Sequence, residues 1–224
     1  MERNLARAPG EVGLRPLASH AEASSSMDDL PGQPTAQRPL HVFWIVDTSH
    51  LMGVGGKMAR LDHAIRELVP ELRQSAAENP GTAVLMQRAV FSSGARWITP
   101  GPVPVDGFSW DSTVSEGMSY LGAALELLNA ELAIPPMPER AFPPVIILMM
   151  CGAPTDDWRA GLAMLERSAW GPKAVRVAVN LGDEEAMPAL MGFTGSLGLT
   201  LSAWDLRKLP RAIRWVSTSL SGGL

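Results

Sequence analysis

Leu40-His41-Val42-Phe43-Trp44-Ile45-Val46, running straight into Asp47-Thr48-Ser49-His50-Leu51-Met52-Gly53, is the stretch on which the fold turns. The first seven residues are apolar on both sides of a period-2 pattern, which suits a central parallel strand covered on both faces. The polar residues that follow read as a loop at that strand's carboxyl end. Lys57 to Glu78 then places Leu61, Ile65, Leu68 and Leu72 at helical spacing, and Asn79-Pro80-Gly81 stops the helix. Ala83 to Phe91 reads as a second strand. Ser92-Ser93-Gly94 turns it into Ala95 to Thr99, so these two form a hairpin.

The rest of the chain repeats the alternation. A Gly/Pro-rich crossing from Pro100 to Gly117 leads into a helix over Ser119 to Leu132, with Leu121, Leu125 and Leu128 on its buried side. Val145 to Met150 is a second fully apolar strand, followed by the loop Cys151 to Thr155. Asp156 to Ser168 reads as a helix with Thr155 as its N-cap. Ala174 to Asn180 (strand), Glu184 to Met191 (helix), Leu199 to Ser202 (strand) and Asp205 to Leu220 (helix) complete the pattern. Strands alternating with helices predict an α/β fold with a doubly wound, mostly parallel sheet, and the hairpin supplies one antiparallel edge strand. Ligands of such folds bind at the carboxyl ends of the strands where strand order reverses. Asp47-Thr48-Ser49 and Cys151-Gly152 end two central strands, so function is expected there.

Composition narrows the rest. Residues 1–38 are rich in Ala, Pro, Ser and Arg without periodicity, and read as a disordered tail ahead of a domain spanning 39–224. Of the 224 residues 46% are hydrophobic and 19% charged, enough for a buried core. The net charge of -4 argues against a nucleic-acid-coating protein. Cys151 is alone, which excludes an internal disulfide and a Cys-based zinc cluster. No apolar run approaches membrane-spanning length, and no apolar segment follows the charged N-terminus, so a soluble cytoplasmic protein is expected. The histidines show no metal spacing, and no general acid, base and nucleophile set is readable, which argues for a non-enzyme. Gly53-Val54-Gly55-Gly56-Lys57-Met58 lacks the Ser/Thr that closes a phosphate loop. Arg207, Lys208, Arg211 and Arg214 put a basic stripe on the last helix, read either as a solvated face or as a docking surface for an acidic partner. Trp44 and Trp215 read as core, and Trp110, Trp158 and Trp170 as loop residues, open to anchoring an interface or to local burial, the commoner outcome.

These motifs resemble a von Willebrand factor A (VWA) domain across about residues 39 to 220. That family carries a metal-ion-dependent adhesion site built from Asp-x-Ser-x-Ser, a distant Thr and a distant Asp. The first motif falls on Asp47-Thr48-Ser49-His50-Leu51, the Thr on Ser119 within Gly117-Met118-Ser119-Tyr120-Leu121-Gly122, and the last Asp on Cys151. Gly152-Ala153-Pro154-Thr155-Asp156-Asp157-Trp158, with Arg214-Trp215-Val216-Ser217, is similar to the bacterial tellurium-resistance-associated VWA proteins of the TerY type. The resemblance implies a protein-interaction module or scaffold in a stress or conflict signalling assembly with a Ser/Thr kinase and a PP2C-type phosphatase. It also implies a degenerate metal site on Asp47, Ser49 and Ser119.

The substitutions have chemical consequences. Leu51 cannot coordinate, and the Cys151 thiol is a soft, mostly protonated donor, whereas Mg²⁺ selects hard oxygen ligands in near-octahedral geometry. Asp47 and Ser49 are open to two readings, as ligands or as loop caps on backbone N–H groups, and Ser119 as a ligand or the N-cap of its helix. Cys151 is open to burial as a small apolar residue, and His50 to simple solvation. The expectation is therefore a metal-independent interface, with no cofactor, anchored by Leu51, Tyr120 and Trp158 at the strand ends. The alternative is a Mg²⁺-dependent ligand-binding domain with a weakened site.

Overall fold

Strand β1 (Arg38–Asp47) lies at the centre of the sheet and carries a side chain to each face in turn. Leu40, Val42, Trp44 and Val46 point to one core, and Phe43 and Ile45 to the other. The computed structural model of the chain describes residues 37–182 and 184–202, which fall within one compact unit. The expected tail and the closing helix, with its basic stripe and Trp215, lie outside the described residues, apart from the tail's last two positions.

After β1 come a single turn α1 (His50–Gly53), the long α2 (Lys57–Ala77), β2 (Thr82–Phe91), β3 (Ala95–Trp97) and β4 (Val103–Pro104). The second half is α3 (Leu121–Glu131), β5 (Val145–Met150), α4 (Trp158–Leu165), β6 (Val175–Asn180), α5 (Met187–Thr194) and β7 (Thr200–Ser202). Strand order is β3-β2-β1-β5-β6-β7, with β4 also pairing to β2. All neighbours pair in parallel except β3 and β4, which run antiparallel to β2. The doubly wound, mostly parallel sheet is thus as expected, with a second short antiparallel segment beside the hairpin.

Each face of the sheet has its own helical cover. On one, Leu61, Ile65, Leu68 and Leu72 of α2 meet the β1 residues Val42, Trp44 and Val46. The crossing segment adds Phe108 and Trp110, stacked on and edge-on to Trp44 at ring-centroid distances of 6.4 and 5.7 Å. On the other, α3, α4 and α5 supply Leu121, Leu125, Leu128, Leu165, Leu190 and Phe193. The largest of these side chains contribute about 2–3 kcal/mol each by leaving water.

Strand β1 starts earlier than its composition suggests. Arg38, placed in the tail by its surroundings, pairs with Thr82, donates from Nη2 to Ala141 O at 2.8 Å, and lies over the Phe142 ring. Pro39 is tolerated because it sits near the strand's start, where a missing N–H costs little.

Candidate functional site

The chain leaves β1 toward β2 on one side and returns through β5 on the other, so strand order reverses between β1 and β5. Asp47 ends β1 and Cys151 directly follows β5, which places both at this reversal. Asp47 is fully buried. Its Oδ1 accepts from the Ser49 N–H at 2.7 Å, and its Oδ2 from the Ser119 hydroxyl at 3.4 Å. Burial pushes the carboxyl pKa up, and the Ser49 and Cys151 N–H groups with the Ser49 and Ser119 hydroxyls pull it back. The Ser49 hydroxyl is itself buried without a partner in hydrogen-bonding geometry.

Three loops meet around this carboxylate and are tied to each other. The His50 N–H donates to Gly117 O at 3.1 Å, and the Glu116 N–H to Thr48 O at 2.8 Å. Gly117 has φ +78°, and a Cβ there would lie 2.6 Å from Ser93 Oγ, so only glycine fits this corner. Across the crevice, the Thr155 N–H donates to Ser119 O at 2.8 Å, while Thr155 Oγ1 accepts from the Ser119 N–H at 3.2 Å. Asp156 reaches over to α3, where its two oxygens accept from Gly122 and Ala123 N–H at 2.9 and 3.0 Å.

These bonds and the burial of the site's surroundings revise three sequence expectations. Ser119 is not the N-cap of α3; Tyr120 holds that position, and the carboxylate of Asp156 does the capping from another loop. Thr155 does not cap α4, because Asp157 does, accepting from the Ala160 N–H at 3.2 Å. Trp158 is not a rim residue. It is 8% exposed, belongs to the core beneath α5, and a Cβ at Gly192 would touch its ring at 2.8 Å. Its bulk is used inside the protein. Trp110 and Trp170, also expected in loops, are buried too.

The other rim residues are better placed. Leu51 is 45% exposed, and its Cδ1 lies 2.7 Å from where a Cβ of Gly152 would be, so the side chain leans across onto the β5 loop. Tyr120 is half-buried, and His50 is exposed. Val54, Val114 and Met118 are also exposed on the loops of this end. Gly182 closes over Cys151: a Cβ there would lie 2.9 Å from Cys151 Cβ, and Cys151 is 5% exposed.

Asp47, Ser49 and Ser119 therefore do come together, while Leu51 and Cys151 stand where further oxygen donors would be needed. One carboxylate and two hydroxyls are a poor donor set for Mg²⁺, which is held through carboxylates and water in near-ideal octahedral geometry. A cation there would be held by the Asp47 carboxylate with the Ser49 and Ser119 hydroxyls, of which that of Ser49 is buried without a partner in hydrogen-bonding geometry. Among the described residues no group of three or more His, Cys, Asp and Glu gathers to hold a metal.

Beneath the crossing segment lies a group the sequence reading missed. Arg88 of β2 is 1% exposed, donates to Asp111 O at 2.6 Å and to Thr113 Oγ1 at 2.5 Å, and stacks over Trp110 at 3.9 Å. The Trp110 indole N–H in turn donates to buried Asp62 at 2.8 Å. Burial lowers the Arg88 pKa to about 10 against the pull of Asp62 and Asp111, and leaves it charged at neutral pH. This guanidinium holds the segment that walls the crevice. A charged residue inside an otherwise apolar strand, and Asp62 on the apolar stripe of α2, were the signals.

The architecture is that of a von Willebrand factor A domain. No protein-family model matches the sequence, and no curated protein matches it. Among solved structures it resembles the von Willebrand factor type A protein from Catenulispora acidiphila (TM-score 0.55, 16% identity, 81% of this chain and 43% of that one). A mutant of the PilB minor pilin from Streptococcus sanguinis is also similar (0.62, 13%, 88% and 65%). So is proximal thread matrix protein 1 from the mussel byssus with a zinc-occupied MIDAS motif (0.54, 14%, 83% and 46%). At such identities the likeness shows the fold. The chain spans less than two-thirds of each of these neighbours. No helix among the described residues is long and apolar enough to cross a membrane.

Proposed function

We propose that this protein is a non-enzymatic interaction module that docks a protein partner at the strand-reversal crevice without a metal ion. The observation that carries it is the Leu51 side chain lying on Gly152 at the mouth of a crevice whose floor is a single buried carboxylate. A metal-loaded site would present a cation to an acidic partner residue. Here the accessible surface includes the apolar side chains Leu51, Val54 and Met118 and the Tyr120 ring, and such residues bind by excluding water. Trp158 is buried and presents little surface to a partner.

The similarity of Pro154 to Trp158 to TerY-type proteins supports placing this module in a bacterial stress-signalling assembly, with a Ser/Thr kinase and a PP2C-type phosphatase as partners and the cytoplasm as its compartment. A second reading, a weakened Mg²⁺ site on Asp47, Ser49 and Ser119, is favoured by the unpartnered Ser49 hydroxyl alone. Affinity capture from the native host, with and without EDTA, separates the two. The expected result is one partner set captured equally under both conditions and lost with Leu51→Asp. Capture abolished by EDTA, restored by Mg²⁺ and indifferent to Leu51→Asp would overturn the reading.

A further inference from the structure

Away from the crevice, Arg66 and Arg73 stand seven residues apart on α2, about 10 Å along the helix axis. Both reach to the crossing segment. Arg66 donates from Nε to Trp110 O at 3.3 Å and from Nη2 to Ser112 Oγ at 2.7 Å. Arg73 donates from Nε to Val105 O at 3.2 Å and from Nη2 to Phe108 O at 2.8 Å. The two side chains act as struts, and between them opens a cavity of about 180 Å³ floored by Pro70 and walled by Phe108, Ser109 and Trp110. Pro70 lacks the N–H that would meet Arg66 O, so the helix ladder is interrupted at this level.

The charge of the struts is uncompensated. The ion pairs among the described residues are His63–Glu67 and Arg176–Glu166, so neither strut has a carboxylate partner. Asp62, the nearest buried acid on the same helix, is committed to the Trp110 indole. Asp106 and Asp111 bracket the loop without pairing to either arginine. Each guanidinium carries five N–H donors, and the struts use two, which leaves a free edge on both. Two such edges on one small concave site suit a tetrahedral dianion, because guanidinium forks match phosphate oxygens bidentately and a cleft lined by one sign of charge focuses the field.

We propose that this window between Arg66 and Arg73 is a binding site for a phosphate group, either free or carried as a phosphorylated side chain of a partner protein. Exposed Ser109 at its edge adds a hydroxyl donor. The site is separate from the strand-reversal crevice, so its fate in experiment is independent of the docking reading.

The test is a titration of ¹⁵N-labelled full chain with inorganic phosphate at constant ionic strength held with chloride. The amides of Phe108, Ser109 and Trp110 are expected to shift saturably, with half-saturation on the order of millimolar. Arg66→Gln and Arg73→Gln are each expected to weaken binding at least fivefold. Arg66→Lys is expected to recover only part of it, because an ammonium keeps the charge but loses the fork. A phosphoserine peptide saturating at lower concentration than free phosphate assigns the source to a protein; equal or weaker binding of the peptide assigns it to the free anion. A linear response, or an equal response to chloride, means an adventitious ion only and overturns the proposal. So does a saturable shift that both Gln variants leave unchanged. The wild-type titration alone can refute it, so a variant that fails to fold does not protect it.

Discussion

Asp156→Ala isolates what holds the crevice together. The wild-type carboxylate accepts two N–H groups of the first turn of α3 from a loop more than thirty residues away in sequence. Removing it leaves both donors without a protein partner. A lost N-cap costs about 1–2 kcal/mol, and a hydrogen bond to a charged group about 1.5–3 kcal/mol. Asp156 is only partly buried, so water recovers some of this and the net loss is about 2–3 kcal/mol. For a domain of this size that is a fall in Tm of about 5–10 °C. Differential scanning calorimetry measures it, and urea denaturation gives the free energy. Asp156→Asn, which keeps one acceptor, should fall between. Gly122→Ala provides the coupling check, because its Cβ would lie 2.8 Å from Asp156 Oδ2 and 2.9 Å from Asp157 O. Only the contact with Oδ2 disappears once the carboxylate is gone, while those with the Asp157 backbone remain, so the two substitutions should fall slightly short of additive. An Asp156→Ala protein within about 0.5 kcal/mol of wild type would refute the capping role assigned here.

Other outcomes are expected. Asp47→Asn should match or exceed wild-type stability at pH 7. Its raised pKa means that the unfolded state ionises first as pH rises past about 4, so Asp47 lowers stability above that pH and is neutral below it. The advantage of Asp47→Asn should therefore vanish in acid, as thermal melts across pH 3–7 would show; a large loss at pH 7 would mean that the bonds to the carboxylate outweigh its burial cost, against this expectation. Trp158→Ala should cost about 3–5 kcal/mol, as a core truncation does, and be read in urea melts. Arg88→Met should cost about 3 kcal/mol, because Asp62 is left buried without its cation, and should speed hydrogen exchange at Glu116 N–H.

Much of the fold could be read from two apolar runs. Leu40 to Val46 and Val145 to Met150 have no polar face apart from His41, so they had to be interior strands, and the helix stripes between them had to cover the two sides. What local patterns misjudged were element starts. Ser119 and Thr155 are good N-caps by type, yet the protein uses both to bond one loop to the other and brings Asp156 in to cap α3. A cap supplied from a distant loop leaves no signature at the helix it serves. Trp158 was misplaced for a related reason: it sits one residue past a loop in sequence, but opens a helix whose first turn faces the core. Arg38 shows the opposite error, since a charged residue in a Pro-rich context became a strand terminus through its contacts with Ala141 and Phe142.

The same bonds bear on how the crevice keeps its shape. Its three walls are the loop after β1, the segment ending at Ser119, and the loop after β5. Each is fastened to another by the chain's own groups: Glu116 to Thr48, His50 to Gly117, Thr155 to Ser119, and Asp156 to the start of α3. Arg88 fixes the second wall from below through Asp111 and Thr113. An ion bridging these loops would thus be joining parts already joined. A second carboxylate beside Asp47 would repel it in the absence of a cation; at position 151 this chain has a thiol instead, and at position 51 a hydrocarbon side chain. Asp47 stays buried because the Ser49 and Cys151 N–H groups and the Ser119 hydroxyl donate to its carboxylate and oppose the cost of burial. On this reading the crevice is left with fixed loops and an apolar mouth, and its selectivity would come from shape at Leu51 and Tyr120 instead of from charge.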